Sequence, residues 1–373
     1  LFVPVLPGLE RLTAEQAESI GHEIRVVHGG IEFRGDLASI YRANLAVRTG
    51  NRVLLRLGQF LSQSYPMLYN HARRIDWPAV LGNCPEVSID VSARESRLNH
   101  KEGIRQAVLD AIRCSMAEHQ VETVLVDGGP LTVKARLYQD RCTLSLDTSG
   151  EHLHKRGYRS HTTTAPIRET TAAGMLLLAQ SKSYDVIVDP FCGSGTFAIE
   201  AELLARNYPP GLSRSFAIEN SPLHSAGTLR HTRRQLLASA SDHSPQTVLG
   251  FDISPTAIQS ARFNASMAPT TGVKFGVSDA LALDFRNFLP KGARGLIVAN
   301  LPYGFRLGTR TTTQSLERAF CSVVARTAVG WDFLIIMPEA DSVREPGLLV
   351  ERTLSFSNGG IPVVASLGRV EAR

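Results

Sequence analysis

From about residue 164 the chain settles into one rhythm: apolar runs at 186–188, 248–251, 273–275, 296–299 and 333–337, separated by stretches with helical spacing. Alternation of this kind has few solutions. A strand that lies parallel to its neighbour needs a crossover of a dozen or more residues, usually a helix, so the pattern predicts an α/β, mostly parallel, doubly wound sheet. Ligands of such sheets bind beyond the carboxyl ends of the strands, which singles out the residues that close each apolar run.

The first run closes in VIVDPFCGSGTFAIEAELLA, residues 186–205. Asp189 ends the strand. Cys192, Gly193, Ser194 and Gly195 form a loop whose glycines permit a tight turn and close ligand approach, and Thr196 opens a helix. This is a nucleotide-type binding turn. A dinucleotide site would place its ribose-binding acid about 20 residues later. Here the next strand-end acid is Asp252 in GFDIS, beyond an insertion of residues 206–247, and Asp279 follows the next strand. GLIVANLPYG, residues 295–304, then closes a further strand, and a dehydrogenase has no use for it.

Asn300, Leu301, Pro302 and Tyr303 resemble the (Asn/Asp)-Pro-Pro-Tyr box of S-adenosylmethionine-dependent methyltransferases that modify exocyclic base amines. The chemistry accounts for the residue types. Such an amine delocalises its lone pair into the ring and is a poor nucleophile. The Asn300 carboxamide oxygen and the Leu301 carbonyl can each accept one amine hydrogen and stabilise the charge that develops on nitrogen. Pro302 holds Leu301 extended, and Tyr303 offers a ring on which an extruded base can stack. No strong general base is required. The resemblance implies a Rossmann-like class I methyltransferase domain with S-adenosylmethionine as cofactor. Asp189 and the Cys192, Gly193, Ser194, Gly195, Thr196 loop would line its methionine part. Asp252, with Ile253 beside it, would take the ribose, and Asp279 and Ala280 the adenine; Pro166 and Glu169 would approach the methionine end, with Asn300 closing the set.

The first 57 residues read strand, helix, strand, strand, helix, strand, with His28, Gly29 and Gly30 as a hairpin turn and Asp36 as a helix cap, the order of a ferredoxin-like fold. Residues 58–147 read as a second small α/β module: a strand at 87–91, a helix whose buried stripe runs through Ile104, Val108, Ala111, Ile112 and Ser115, and a hairpin at 131–146. Residues 1–147 balance 17 basic against 17 acidic side chains, so the whole net charge of +5 lies beyond them. Mean hydropathy is -0.04, and no run approaches the ~18 apolar residues of a membrane helix. The five cysteines form no CxxC pair, and His152, His154 and His161 lack metal-ligand company, so no metal site is expected. A reducing, cytoplasmic setting without a secretory leader is expected.

The opening LFVPVLPGLE, the segment ESRLNH (95–100), the linker SLDTSGEHLHKRGYR (145–159), the insertion beginning NYPPGLSR and the closing FSNGG together look like the THUMP-domain RNA guanine-N2 methyltransferases, closest to the bacterial type acting on large-subunit ribosomal RNA. The resemblance runs end to end. It implies a ferredoxin-like domain at 1–57, an RNA-binding THUMP domain at 58–147, a basic linker at 148–165 and the methyltransferase domain at 166–373. The implied partner is RNA, ribosomal first and transfer RNA second. Arg97 and Lys101, the linker residues Lys155, Arg156, Tyr158 and Arg159, and Arg230, Arg233 and Arg234 of the insertion are the RNA contacts expected. For the insertion alone, a merely solvated basic helix is an equal reading. Adenine methylation and a catalytically silent RNA-binding protein stand as alternatives, the latter opposed by the intact loop, Asn300 and Tyr303. The family usually has Pro at the place of Leu301, whose carbonyl serves as well, and an acid at the place of Phe305, which alters contacts beyond the base. The chain closes soon after this domain, so one methylation activity is expected.

Overall fold

The computed structural model describes residues 1–84, 86–160, 167–302, 310–339 and 343–372. They divide into two compact units. Leu1–Val5, Thr13–Leu153 and Gly211–Gln235 form the first, and Leu6–Leu12, His154–Pro210 and Leu236–Arg373 the second.

The first unit is built on one eight-stranded sheet. Its elements are β1 (Phe2–Pro4), α1 (Glu10–Ala17, shared with the second unit), β2 (His22–Val27), β3 (Gly30–Arg34), α2 (Leu37–Ala46), β4 (Leu54–Leu61), α3 (Tyr65–Ala72), α4 (Trp77–Leu81), β5 (Glu86–Arg94), α5 (Lys101–Ala117), β6 (Val124–Leu125), β7 (Leu131–Tyr138) and β8 (Arg141–Asp147). Asp36 caps α2 by accepting from the Ser39 amide, and Gly29 takes φ 75° in the β2–β3 turn. The strand order is β2-β3-β1-β4-β8-β7-β5-β6. β4 runs antiparallel to β8 from Leu54↔Asp147 to Leu61↔Arg141, so the strand passes through the expected boundary at residue 57 and joins both modules in one sheet. Left unpaired, β4 would present an open edge. Two short helices escape the periodicity argument. α3 and α4 begin at Ser64 and Asp76, each capping an amide with a proline in the first turn.

The second unit carries the doubly wound sheet. Its elements are α6 (Glu169–Leu178), β9 (Val186–Asp189), α7 (Thr196–Ala205), α8 (Ala226–Ala238, mostly in the first unit), β10 (Thr247–Asp252), α9 (Pro255–Met267), β11 (Lys274–Val277), β12 (Gly295–Asn300), α10 (Arg310–Thr327), β13 (Asp332–Pro338), β14 (Leu348–Asn358) and β15 (Ile361–Val370). The order is β11-β10-β9-β12-β13-β15-β14, with β15 antiparallel to both its neighbours. Both faces of the central strands are buried. Ile187, Leu296, Val298, Leu334 and Ile336 enter one core and Val186, Val188, Ile297, Ala299, Phe333 and Ile335 the other. That is why these runs read as continuously apolar.

One segment departs from the linear division. Residues 211–235 lie within the expected methyltransferase domain, yet they pack in the first unit. The Gly211 amide donates to the Leu45 carbonyl at 2.9 Å, Ser221 Oγ to Val80 O at 2.6 Å and the Ser225 amide to Tyr41 Oη at 2.8 Å. Among the described residues no helix is long and apolar enough to cross a membrane.

Candidate active site

Chain order reverses at β9. The chain moves out from β9 to β10 and β11, then returns to the other side as β12, so the crevice at the carboxyl ends of β9, β10 and β12 is the topological switch point of the sheet. Asp189, Asp252 and Asn300 are the last residues of those three strands.

The glycine loop is held from three directions. Gly193 and Gly195 take φ 51° and 86°, and a side chain at Gly195 would meet the Phe275 ring at 3.0 Å and Ala261 at 3.1 Å. The Cys192 amide donates to Phe251 O at 2.8 Å, tying the loop to β10. Asn264, wholly buried on α9, donates through Nδ2 to the Ser194 carbonyl at 3.0 Å. The sequence reading missed Asn264. Its only signal was a polar residue on a helical stripe otherwise filled by Ala257, Ile258 and Ala261.

The two strand-end acids differ in kind. Asp252 accepts from the Gly193 amide at 3.0 Å through one oxygen and from the Ser254 amide at 2.9 Å through the other. Each oxygen retains a lone pair for a vicinal diol. Ile253 beside it is 69% exposed, an apolar surface next to a polar site. Asp189 is buried and accepts from the Phe191 amide at 3.2 Å. Burial, opposed by that hydrogen bond and reinforced by the negative charge of Asp252, raises its carboxyl well above the usual range. Burial likewise pushes the Cys192 thiol up, the direction that disfavours a thiolate. Asp279 is exposed and accepts from the Leu281 amide at 2.9 Å, and Ala280 after it is buried.

At the end of β12, Asn300 Oδ1 is buried and has no hydrogen-bond partner among the described residues. An acceptor in that state costs about 1–3 kcal/mol, which a ligand donor would recover. Leu301 is buried, and its amide donates to Ile336 O at 3.0 Å, fixing the backbone there. Pro302 follows, half-buried. Tyr303, Phe305 and Pro166 lie outside the described residues.

The linker requires a correction. Arg156, Tyr158 and Arg159 were expected on the surface, facing RNA; all three turn inward. The Arg156 side chain is 3% exposed and lies 3.6 Å from the Glu200 carboxylate, and Tyr158 Oη donates to the same carboxylate at 3.0 Å. Arg159 is 12% exposed, pairs with Glu169 at 3.1 Å and donates to Thr196 Oγ1 at 2.6 Å and Ile167 O at 2.9 Å. These groups clamp the start of α7, and hence the glycine loop, to the start of α6. Burial raises the Glu169 carboxyl, and the Arg159 charge opposes the rise. Glu202, further along α7, accepts from the Thr271 and Gly272 amides at 2.6 and 3.2 Å. Two acids in an otherwise apolar helix were the available sign of such partners. Lys155 alone of the four linker residues is exposed.

The remaining cations expected at RNA lie in the first unit. Lys101, Arg230 and Arg234 are exposed, and Arg97 lies 3.6 Å from Asp140 while staying open to solvent. Arg233 is half-buried and donates to the Arg214 carbonyl at 2.6 Å, a bond internal to the insertion.

Three family models match the chain in turn. The family described as "RMKL-like, methyltransferase domain" matches residues 156–345, "RlmL ferredoxin-like domain" matches 1–54 and "THUMP domain" matches 62–147. The chain is 31% identical, over 96% of its length, to "Ribosomal RNA large subunit methyltransferase K/L" of Methylococcus capsulatus, of which it spans 50%. It is 30% identical to "Putative RNA methyltransferase YpsC" of Bacillus subtilis, covering 83% of this chain and 80% of that one. The crystal structure of SMU.472 complexed with SAH superposes with a TM-score of 0.87 at 25% identity, covering 100% of this chain and 98% of the other.

Proposed function

The chain belongs to the RMKL-like methyltransferase family, and from that premise we propose that it transfers a methyl group from S-adenosylmethionine to the N2 amine of a guanosine in large-subunit ribosomal RNA. The cofactor supplies an electrophilic sulfonium methyl. The residues at the switch point suit it: glycines at 193 and 195 admit close approach, Asp252 keeps acceptors for a ribose diol, Ile253 offers apolar surface and Asp189 offers a buried carboxyl that a cationic ligand would ionise.

The observation that carries the reading is Asn300 Oδ1, a buried acceptor without a donor at the strand end where the base amine would arrive. Accepting one amine hydrogen there favours a pyramidal nitrogen and stabilises its developing charge, and the rigid Leu301 backbone sets the direction of the second acceptor. Positioning of the nitrogen in line with the methyl group contributes the rest. The ribosomal substrate is supported by the name of the Methylococcus relative, of which the chain spans about half.

The test joins kinetics to product. Asn300→Ala should bind S-adenosylmethionine as the wild type does and lose about 100-fold in single-turnover methylation of ribosomal RNA taken from cells lacking the protein. Mass spectrometry of the digested product should show N2-methylguanosine. An unimpaired Asn300→Ala rate, or methyl found on another atom, would refute this reading.

A further inference from the structure

Residues 1–147 balance 17 basic against 17 acidic side chains, but their sheet does not distribute that charge evenly. On β7 the residues alternate, Leu131, Val133, Ala135 and Leu137 being buried and Thr132, Lys134, Arg136 and Tyr138 facing away from that core. Strand register extends this outer face across neighbours: Tyr138 lies level with Arg94 of β5 and Arg141 of β8, while Arg136 lies level with Ser92 and Thr143.

Several cations of the sheet are matched: Lys134 Nζ is 2.6 Å from Asp90, Arg56 pairs with Glu32 and Arg52 with Asp147. Those at the level of Tyr138 are not. Arg94, Arg136 and Arg141 are exposed and have no carboxylate within ion-pair distance among the described residues. The two acids nearby are committed elsewhere: Glu95 accepts from Gln139 Nε2 at 3.1 Å, and Asp140 accepts from the Arg97 amide at 2.7 Å. Those bonds hold Gln139 and Asp140 at φ 50° and 59°, the two-residue turn that sets the β7–β8 register. Tyr138 at the centre is 42% exposed, with the Arg136 guanidinium 5.8 Å from its ring centroid. Like charges on adjacent strands destabilise a sheet. A row of three arginines without a carboxylate partner around an open aromatic ring is complementary to a polyanion whose bases can stack.

Resting on the reading that the substrate is RNA, we propose that this row binds a single-stranded segment of it, with one base stacked on Tyr138 and phosphates held by Arg94, Arg136 and Arg141. The contact is sequence-tolerant by its chemistry, since every base has a π-face and every nucleotide a phosphate.

The test uses the full chain, a fluorescent oligoadenylate of about twelve nucleotides and a salt series. The R94Q/R136Q/R141Q variant should bind about 30-fold more weakly near 0.1 M salt, and the slope of log affinity against log salt should fall by about 2, as loss of three phosphate contacts on a single strand requires. Tyr138→Ala should lose about tenfold or more and Tyr138→Phe little. Unchanged thermal melting and cofactor binding would show that the variants fold. Wild-type affinity and slope in the triple variant, or no oligoadenylate binding by the wild type, would overturn the proposal. Methylation of ribosomal RNA by the wild type tests the enzymatic reading separately: weakened binding by the variant in a protein that methylates no RNA would sustain the row and sink the enzyme.

Discussion

Two groups of arginines look alike along the chain and do opposite things. Arg156 and Arg159 stand in HKRGYR, and Arg136 and Arg141 in VKARLYQDR, each group with a tyrosine in its midst. The first group folds inward on Glu200 and Glu169, with Tyr158 buried against the same Glu200. The second lies open on a sheet face with Tyr138 exposed between its members. A basic, aromatic stretch is therefore no sign of a nucleic-acid contact until the direction of its side chains is known. Strand alternation fixes that direction for Arg136 and Arg141, whereas an irregular linker has no period from which it could be read.

The comparison can be broken most readily by removing charge. Arg156→Ala or Arg159→Ala should destabilise the protein by about 3–5 kcal/mol, the usual cost of leaving a buried carboxylate without its partner. Arg136→Gln should stay within about 0.5 kcal/mol of the wild type. Denaturant titration reads both, and equal effects would erase the distinction.

The acidic side sharpens the contrast at a smaller effect. Glu200 is buried against an arginine and a tyrosine, whereas Asp189 is buried with one backbone amide and the repulsion of Asp252. A carboxyl raised in the folded state contributes stability that is full below its unfolded pKa and is lost as pH rises through the folded value. Asp189→Asn should therefore melt higher than the wild type at neutral pH. It should also bind S-adenosylmethionine about tenfold more weakly, and without the wild type's rise in affinity with pH above the ordinary carboxylate range. Calorimetry across pH checks the direction; a wild-type affinity that falls with pH would remove Asp189 from the cationic part of the ligand.

The smallest effect belongs to Lys155, which neighbours Arg156 but is exposed. Lys155→Gln should change stability by less than about 0.5 kcal/mol and leave cofactor affinity unaltered. A large loss of either would mean that the linker acts as one unit, and that exposure does not separate its members.

What the sequence by itself determined is local. The glycine loop, the acids at 189 and 252 and Asn300 each follow an apolar run within a few residues, and the backbone carries such spacing directly into geometry. The cap at Asp36 and the turn at Gly29 are legible for the same reason. The tertiary structure decided whatever depends on a distant partner. Glu200 meets Tyr158 across 42 residues, Leu54 pairs with Asp147, and residues 211–235 settle against Leu45, Val80 and Tyr41. β14 pairs with β15, and β15 with β13, by antiparallel contacts that no single run specifies. A buried ion pair, a shared strand and a displaced insertion leave no period in the chain, because the free energy that selects them comes from burying two segments together and neither contains the pattern alone.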